Sequence, residues 1–115
     1  MGWIVFRLLA DKKHWYDEIL DWDGPACYEL AIAGPRGGNL RIVYIGETSN
    51  EKKRMASYAR SGSHLANEID WHLKEGWYLW YRACGCNSKK EAIAMEESML
   101  KKFKYDRNIK LNHGT

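Results

Sequence analysis

The sequence holds no apolar run near the roughly 18–20 residues that a membrane span requires. It also has no internal repeat, no low-complexity tract and no linker. Its amino terminus, MGWIVFRLLADKKHW, lacks the basic start and small-residue cleavage site of a signal peptide. Cysteine is scarce. Cys27, Cys84 and Cys86 are an odd set at low density, which argues against a disulfide scaffold and points to a reducing cytoplasm. Phenylalanine is scarcer still, two residues against six Trp and seven Tyr. Rings with a polar tip therefore outnumber purely apolar ones, which suggests a surface both flat and wet. The rest is ordinary: 115 residues, 45% hydrophobic and 29% charged, suit one domain with its own core and argue against disorder.

The net charge of +3 is small but unevenly placed. Residues 1–24 carry three positive and five negative side chains. Residues 49–60 carry four positives, among them Lys52, Lys53, Arg54 and Arg60, against Glu51 alone. Residues 98–112 carry five, including Lys101 and Lys104, against Asp106 alone. Two basic segments on a nearly neutral body suggest a phosphate-facing side. A solvated helix face explains either run taken singly.

Residues 11–21 read as a short helix, and residues 3–9 as a strand or an extension of it. After the Gly24-Pro25 break, Ala26 to Ala33 alternates as a strand, with Tyr28, Leu30 and Ile32 on one face. Turn residues 34–38 lead to a second strand from Leu40 to Ile45, making a hairpin. Thr48-Ser49-Asn50-Glu51 has the form of a capping box, predicting a helix from about residue 49 to 60. Ser63 is placed to cap the next helix, in which Leu65, Ile69 and Leu73 recur every fourth residue and Gly76 ends the run. Trp77 to Cys84 reads as a third strand, and Ser88 to Glu91 as a second capping box opening a helix to about 103. The tail at 108–112 is irregular or a short strand. The expected class is α+β: a small three-stranded antiparallel sheet flanked by helices, with an extra N-terminal segment. In this reading residues 1–24 are an extension packed on the core and residues 25–115 form the domain.

The last helix carries the most informative anomaly. At about 100° per residue, Ala92, Ile93, Met99, Leu100 and Phe103 form an apolar stripe with Glu96 in its middle. A lone carboxylate on such a face needs a cation, a hydrogen-bond network or a proton. A metal ligand in a pocket answers that need, and so does a buried Glu paired with an Arg from elsewhere. Arg54 and Tyr58 share a helix face, four residues apart, an arrangement suited to a phosphate oxygen; an Arg stacked on a ring is the plainer explanation. Tyr28 and Tyr44 follow the alternation of apolar strand residues, as core tyrosines do. Cys84 and Cys86, with Cys27 and one of His14, His64, His72 or His113, would supply zinc ligands, but no paired CxxC or HxxxH spacing supports that.

Taken in order, Pro25-Ala26-Cys27-Tyr28, Tyr44-Ile45-Gly46, Lys52-Lys53-Arg54-Met55-Ala56-Ser57-Tyr58, Glu96 and Asn108 resemble the GIY-YIG nuclease superfamily. Within it, the likeness is to the incision domain of the bacterial nucleotide-excision repair nuclease. The resemblance covers residue 25 to about 112. It implies DNA phosphodiester hydrolysis with one divalent metal, Mg²⁺ or Mn²⁺, held by Glu96. Tyr28 or Tyr44 would engage the attacking water, Arg54 the transition-state charge, Tyr58 the phosphate, and Asn108 the pocket edge. Three departures stand out. Ala26 replaces a Gly; Glu47 stands where the repair enzymes place a lysine; Tyr105 stands where a Lys-Pro pair precedes the Asn. Glu47 thus becomes a third candidate for general base or a modulator of the site. Lys52, Lys53, Arg60, Lys101 and Lys104 are the expected nucleic-acid contacts. The expected protein is a stand-alone, cytoplasmic DNA endonuclease of low sequence specificity, with no membrane contact. A homodimer or a separate targeting protein would extend its action. The alternatives are a non-catalytic nucleic-acid-binding module on the same fold and a zinc-bound interaction domain.

Overall fold

The computed structural model describes residues 2–12, 16, 22–36, 38–59 and 66–103. The elements run β1 (Arg7–Ala10), β2 (Ala26–Ala33), β3 (Arg41–Thr48), α1 (Glu51–Ala59), α2 (Ala66–Lys74), β4 (Tyr78–Gly85) and α3 (Lys89–Lys102). The strands form one antiparallel sheet in the order β1-β4-β2-β3. The α+β class stands. The expected three strands are joined by a fourth, β1, at one edge. Trp3 continues that edge by bridging Cys84.

β2 lies between β4 and β3, with helices packed on both faces of the sheet, and nearly every residue in it is buried. Tyr28 and Leu30 point to one face, into a core with Leu9, Val43, Tyr44, Met55, Tyr58, Ile69, Leu79 and Tyr81. That layer joins α1 and α2 to the sheet. Burial of each aliphatic side chain there contributes roughly 1.5–3 kcal/mol. Cys27 points to the other face, where Ile45, Ile42, Met95, Met99 and Leu100 join α3 to the sheet.

A β-bulge decides which face Tyr44 serves. Leu30 pairs with Tyr44 but Ala31 pairs with Ile42, leaving Val43 as the extra residue. Ile42 therefore belongs to the α3 face while Tyr44 joins Tyr28 on the other. Strict alternation, which would put Tyr44 with Ile42, fails at that one residue.

The helix ends show which local signals operate. Ser88 caps α3 by accepting from the Glu91 N–H at 3.1 Å. Gly76, at φ 88°, ends α2: its N–H reaches the Leu73 carbonyl and that of Trp77 the His72 carbonyl, the Schellman pattern. At α1 the expected box is corrected. Asn50 is the cap, its side-chain oxygen accepting from the Lys53 N–H at 2.9 Å. Thr48 instead accepts from the Asn50 N–H at 3.0 Å, two residues too early to cap the helix. The first N–H groups of α1, from Glu51 and Lys52, donate to the carbonyls of Gly24 and Trp22. Tyr16 is not helical; its N–H donates to the Leu9 carbonyl and its hydroxyl to Asp11. The remainder of the helix expected over 11–21, apart from Asp11 and Lys12, lies outside the described residues, as do Ser63, Leu65 and the tail at 108–112. No helix among the described residues is long and apolar enough to cross a membrane.

Candidate active site at the edge strand

Three tyrosines come together on the α1 side of the sheet. Tyr28 and Tyr58 share a hydrogen bond between hydroxyls at 2.5 Å, with ring centroids 6.1 Å apart. Tyr44 lies obliquely against Tyr28, also at 6.1 Å. All three side chains are buried. Gly46, directly across from Tyr28, makes room for them. A Cβ at Gly46 would lie 2.5 Å from the Tyr28 hydroxyl oxygen and 2.9 Å from the Tyr44 ring. The glycine that follows Tyr44-Ile45 is thus a requirement of ring packing, not of a turn.

Burial pushes all three phenols up, because the phenolate loses its hydration. Tyr44 reaches about 12; burial contributes most and the Glu96 charge adds to it. Tyr28 and Tyr58 rise further. The half-buried Arg54, four residues from Tyr58 on α1, opposes the rise at every one of them.

Glu96 approaches from α3. The buried side of that helix is Ala92 with Met95, Met99 and Leu100, while Ile93 and Phe103 are exposed. The expected stripe is therefore rotated, and Glu96 stands on its flank, half-exposed, rather than at its centre. Burial, then the charges of Glu47 and Glu97, push its carboxyl up to about 7, and Lys89 opposes them. Glu47, on β3, is ion-paired with Lys89 at 3.1 Å. Its Oε2 is inaccessible to water and has no hydrogen-bond donor aligned on it.

Tyr44 is where the two halves meet: it feels Glu96 and Glu47 on one side and Arg54 on the other. Of the residues singled out in the sequence, Tyr28, Tyr44, Tyr58, Arg54, Glu96 and Glu47 thus gather around the β3 edge. Lys52 and Lys53 are exposed on α1 and Lys101 on α3. Asn108, Arg60 and Lys104 lie outside the described residues. Sequence reasoning missed Lys89. Its signal is spacing: seven residues, two helical turns, put Lys89 on the same side of α3 as Glu96.

It missed a second ion pair as well. Glu29, buried at 1% exposure, meets Arg82 Nε at 2.5 Å, and the guanidinium lies 4.9 Å from the ring centres of both Trp3 and Phe6. The buried Glu paired with an Arg is Glu29, not Glu96. The cysteines are all free and buried; Cys27 and Cys84 face each other across β2 and β4. Among the described residues, no three His, Cys, Asp or Glu side chains form a group able to hold a metal ion. His14, His64 and His113 lie outside those residues.

The α+β sheet thus carries a buried tyrosine group drawn from β2, β3 and α1, with Arg54 on α1 and Glu96 on α3. The family described as GIY-YIG domain-containing protein matches residues 13–115, and the chain belongs to that family. It is similar to UvrABC system protein C of Pediococcus pentosaceus, 31% identical over 81% of this chain and 14% of the relative. The corresponding protein of Limosilactobacillus fermentum is 30% identical and that of Ligilactobacillus salivarius 31%, with the same coverage. The chain thus spans about one seventh of the length of these relatives. No solved structure gives a significant match.

Proposed function

We propose that this chain is a DNA endonuclease that hydrolyses phosphodiester bonds with one divalent cation, Mg²⁺ or Mn²⁺, held by Glu96. The observation that carries the reading is the packed group of Tyr28, Tyr44 and Tyr58 beside α1, the helix that also carries Arg54. The residues present fit such an ion. Glu96 offers hard oxygen ligands from the half-buried flank of α3. When bound, the cation supplies charge stabilisation at the scissile phosphate and the leaving oxygen.

The chain's own groups do the rest. Arg54 binds and orients the phosphate and meets the charge that builds in the transition state. Tyr44 hydrogen-bonds the attacking water, and Tyr28 and Tyr58 behind it fix the direction of its hydroxyl. Glu47 is the alternative base. Lys52, Lys53 and Lys101 supply sequence-independent attraction to the DNA backbone. One site cuts one strand, so a monomer nicks and double-strand cleavage requires two copies. Free thiols fit a reducing cytoplasm.

Supercoiled plasmid with Mg²⁺ tests this reading. The wild-type protein is expected to nick it, Glu96→Ala to abolish nicking with DNA binding intact, and Arg54→Ala to slow it by about 10²–10³-fold. Plasmid left uncut by the wild-type protein in both Mg²⁺ and Mn²⁺, with binding retained, would make the domain a binding module instead.

A further inference from the structure

Two carboxylates reach the proposed cation site, and only one of them is free to serve it. Glu47 comes from β3 and Glu96 from α3, the helix whose Met95 and Met99 pack on Ile42 and Ile45 of that strand. The Oε2 atom of Glu47 is buried, and the partner it has is the Lys89 ammonium at 3.1 Å. A buried anionic oxygen of this kind is held in place by its counter-ion. Lys89 itself is anchored at the start of α3, just after the Ser88 cap, so the helix fixes where its side chain begins.

We propose that Lys89 is a positioning residue for the cation site: an internal counter-ion that holds Glu47 away from the divalent ion, leaving Glu96 to bind it alone. A one-carboxylate site binds its ion loosely and leaves more of the coordination shell to phosphate and water. Without Lys89, Glu47 becomes a second oxygen ligand. The idea rests on the reading that Glu96 holds the cation, and the same experiment separates the two.

The probe is Mn²⁺ alone, titrated into the DNA-free protein and followed by calorimetry or by the paramagnetic signal of the free ion. Lys89→Met is expected to tighten Mn²⁺ binding about tenfold, as a second carboxylate ligand does. Adding Glu47→Gln to that variant should restore wild-type affinity, and Lys89→Arg should keep it. Lys90→Met, with the same charge change one residue along an exposed stretch of the helix, should leave affinity unchanged. Lys89→Gln, read with a thermal melt, provides a second variant should Lys89→Met fold poorly. Affinity unmoved by either Lys89 substitution overturns the proposal, as does a gain that survives Glu47→Gln. If Glu96→Gln leaves Mn²⁺ binding at the wild-type level, the cation reading itself falls. If Glu96→Gln abolishes binding while Lys89→Met fails to tighten it, only the role of Lys89 falls.

Discussion

The hydroxyls of Tyr28 and Tyr58 lie 2.5 Å apart in a space closed to water, one on the central strand and the other on α1. That contact fastens α1 to the sheet at the level where Arg54 and Tyr44 also meet. It also places both hydroxyls, like that of Tyr44, out of reach of solvent, so that contact with water or substrate requires local opening.

Removing one member of such a pair leaves the other buried without its partner, at a cost of about 1–3 kcal/mol. Tyr58→Phe and Tyr28→Phe should each lower stability in urea by that order. The double variant should cost less than the sum, because no orphaned hydroxyl of this pair remains. Additive losses in the double-mutant cycle would show that the two hydroxyls are not coupled.

Gly46→Ala is expected to be more damaging to activity than its size suggests. The new methyl would meet the Tyr28 hydroxyl oxygen at 2.5 Å and the Tyr28 ring carbon beside it at 2.6 Å. The strand cannot retreat without breaking its ladder with β2, so the two tyrosines must shift. Overpacking of this kind costs about 1–3 kcal/mol. Plasmid nicking should fall well below what the loss of folded protein explains. A Gly46→Ala variant with wild-type nicking per folded molecule would mean that the tyrosine positions do not matter.

Alkali should expose the burial of these rings. Their folded pKa values are raised above the ordinary value of 10. The unfolded chain therefore releases those protons first, and stability falls as pH rises past about 10. Below that value the phenols are protonated in both states and contribute no pH dependence. Tyrosinate absorbance should show at least three of the seven tyrosines ionising only as the fold is lost, in step with circular dichroism. Ionisation of all seven before unfolding would contradict the packing.

What the sequence revealed and what it hid divides along contact range. The Ser88 cap, the Gly76 stop and the strand around Tyr28 were legible because each depends on residues a few positions apart. Glu96 was legible as an anomaly, although the helix is turned so that Met95 faces the sheet and Ile93 and Phe103 face solvent. Apolar character alone does not fix rotation when the stripe is wide and half of it is methionine and alanine. The Val43 bulge, the Lys89–Glu47 pair and the Glu29–Arg82 pair were illegible. Each is decided by which strand or helix lies alongside, and no spacing within one segment encodes that.

The Glu29–Arg82 pair yields a prediction about the N-terminal strand. Glu29 lies on the central strand at 1% exposure, and Arg82 comes from the neighbouring β4 with its guanidinium beside Trp3 and Phe6. Removing the arginine takes one cation from a carboxylate that water does not reach; breaking a fully buried pair costs about 3–5 kcal/mol. Arg82 keeps 30% of its side chain exposed, so Arg82→Ala should fall near the lower end, about 3 kcal/mol. Replacing both partners together, Glu29→Leu with Arg82→Leu, should recover most of that loss, because no uncompensated charge remains. Trp3→Ala opens one side of the guanidinium to solvent and should weaken the pair by roughly 0.5–2 kcal/mol, the range of a partly desolvated cation–π contact. Urea denaturation of the three variants decides. A double variant as unstable as Arg82→Ala alone would show that shape at the β1 edge matters there and the buried charge does not.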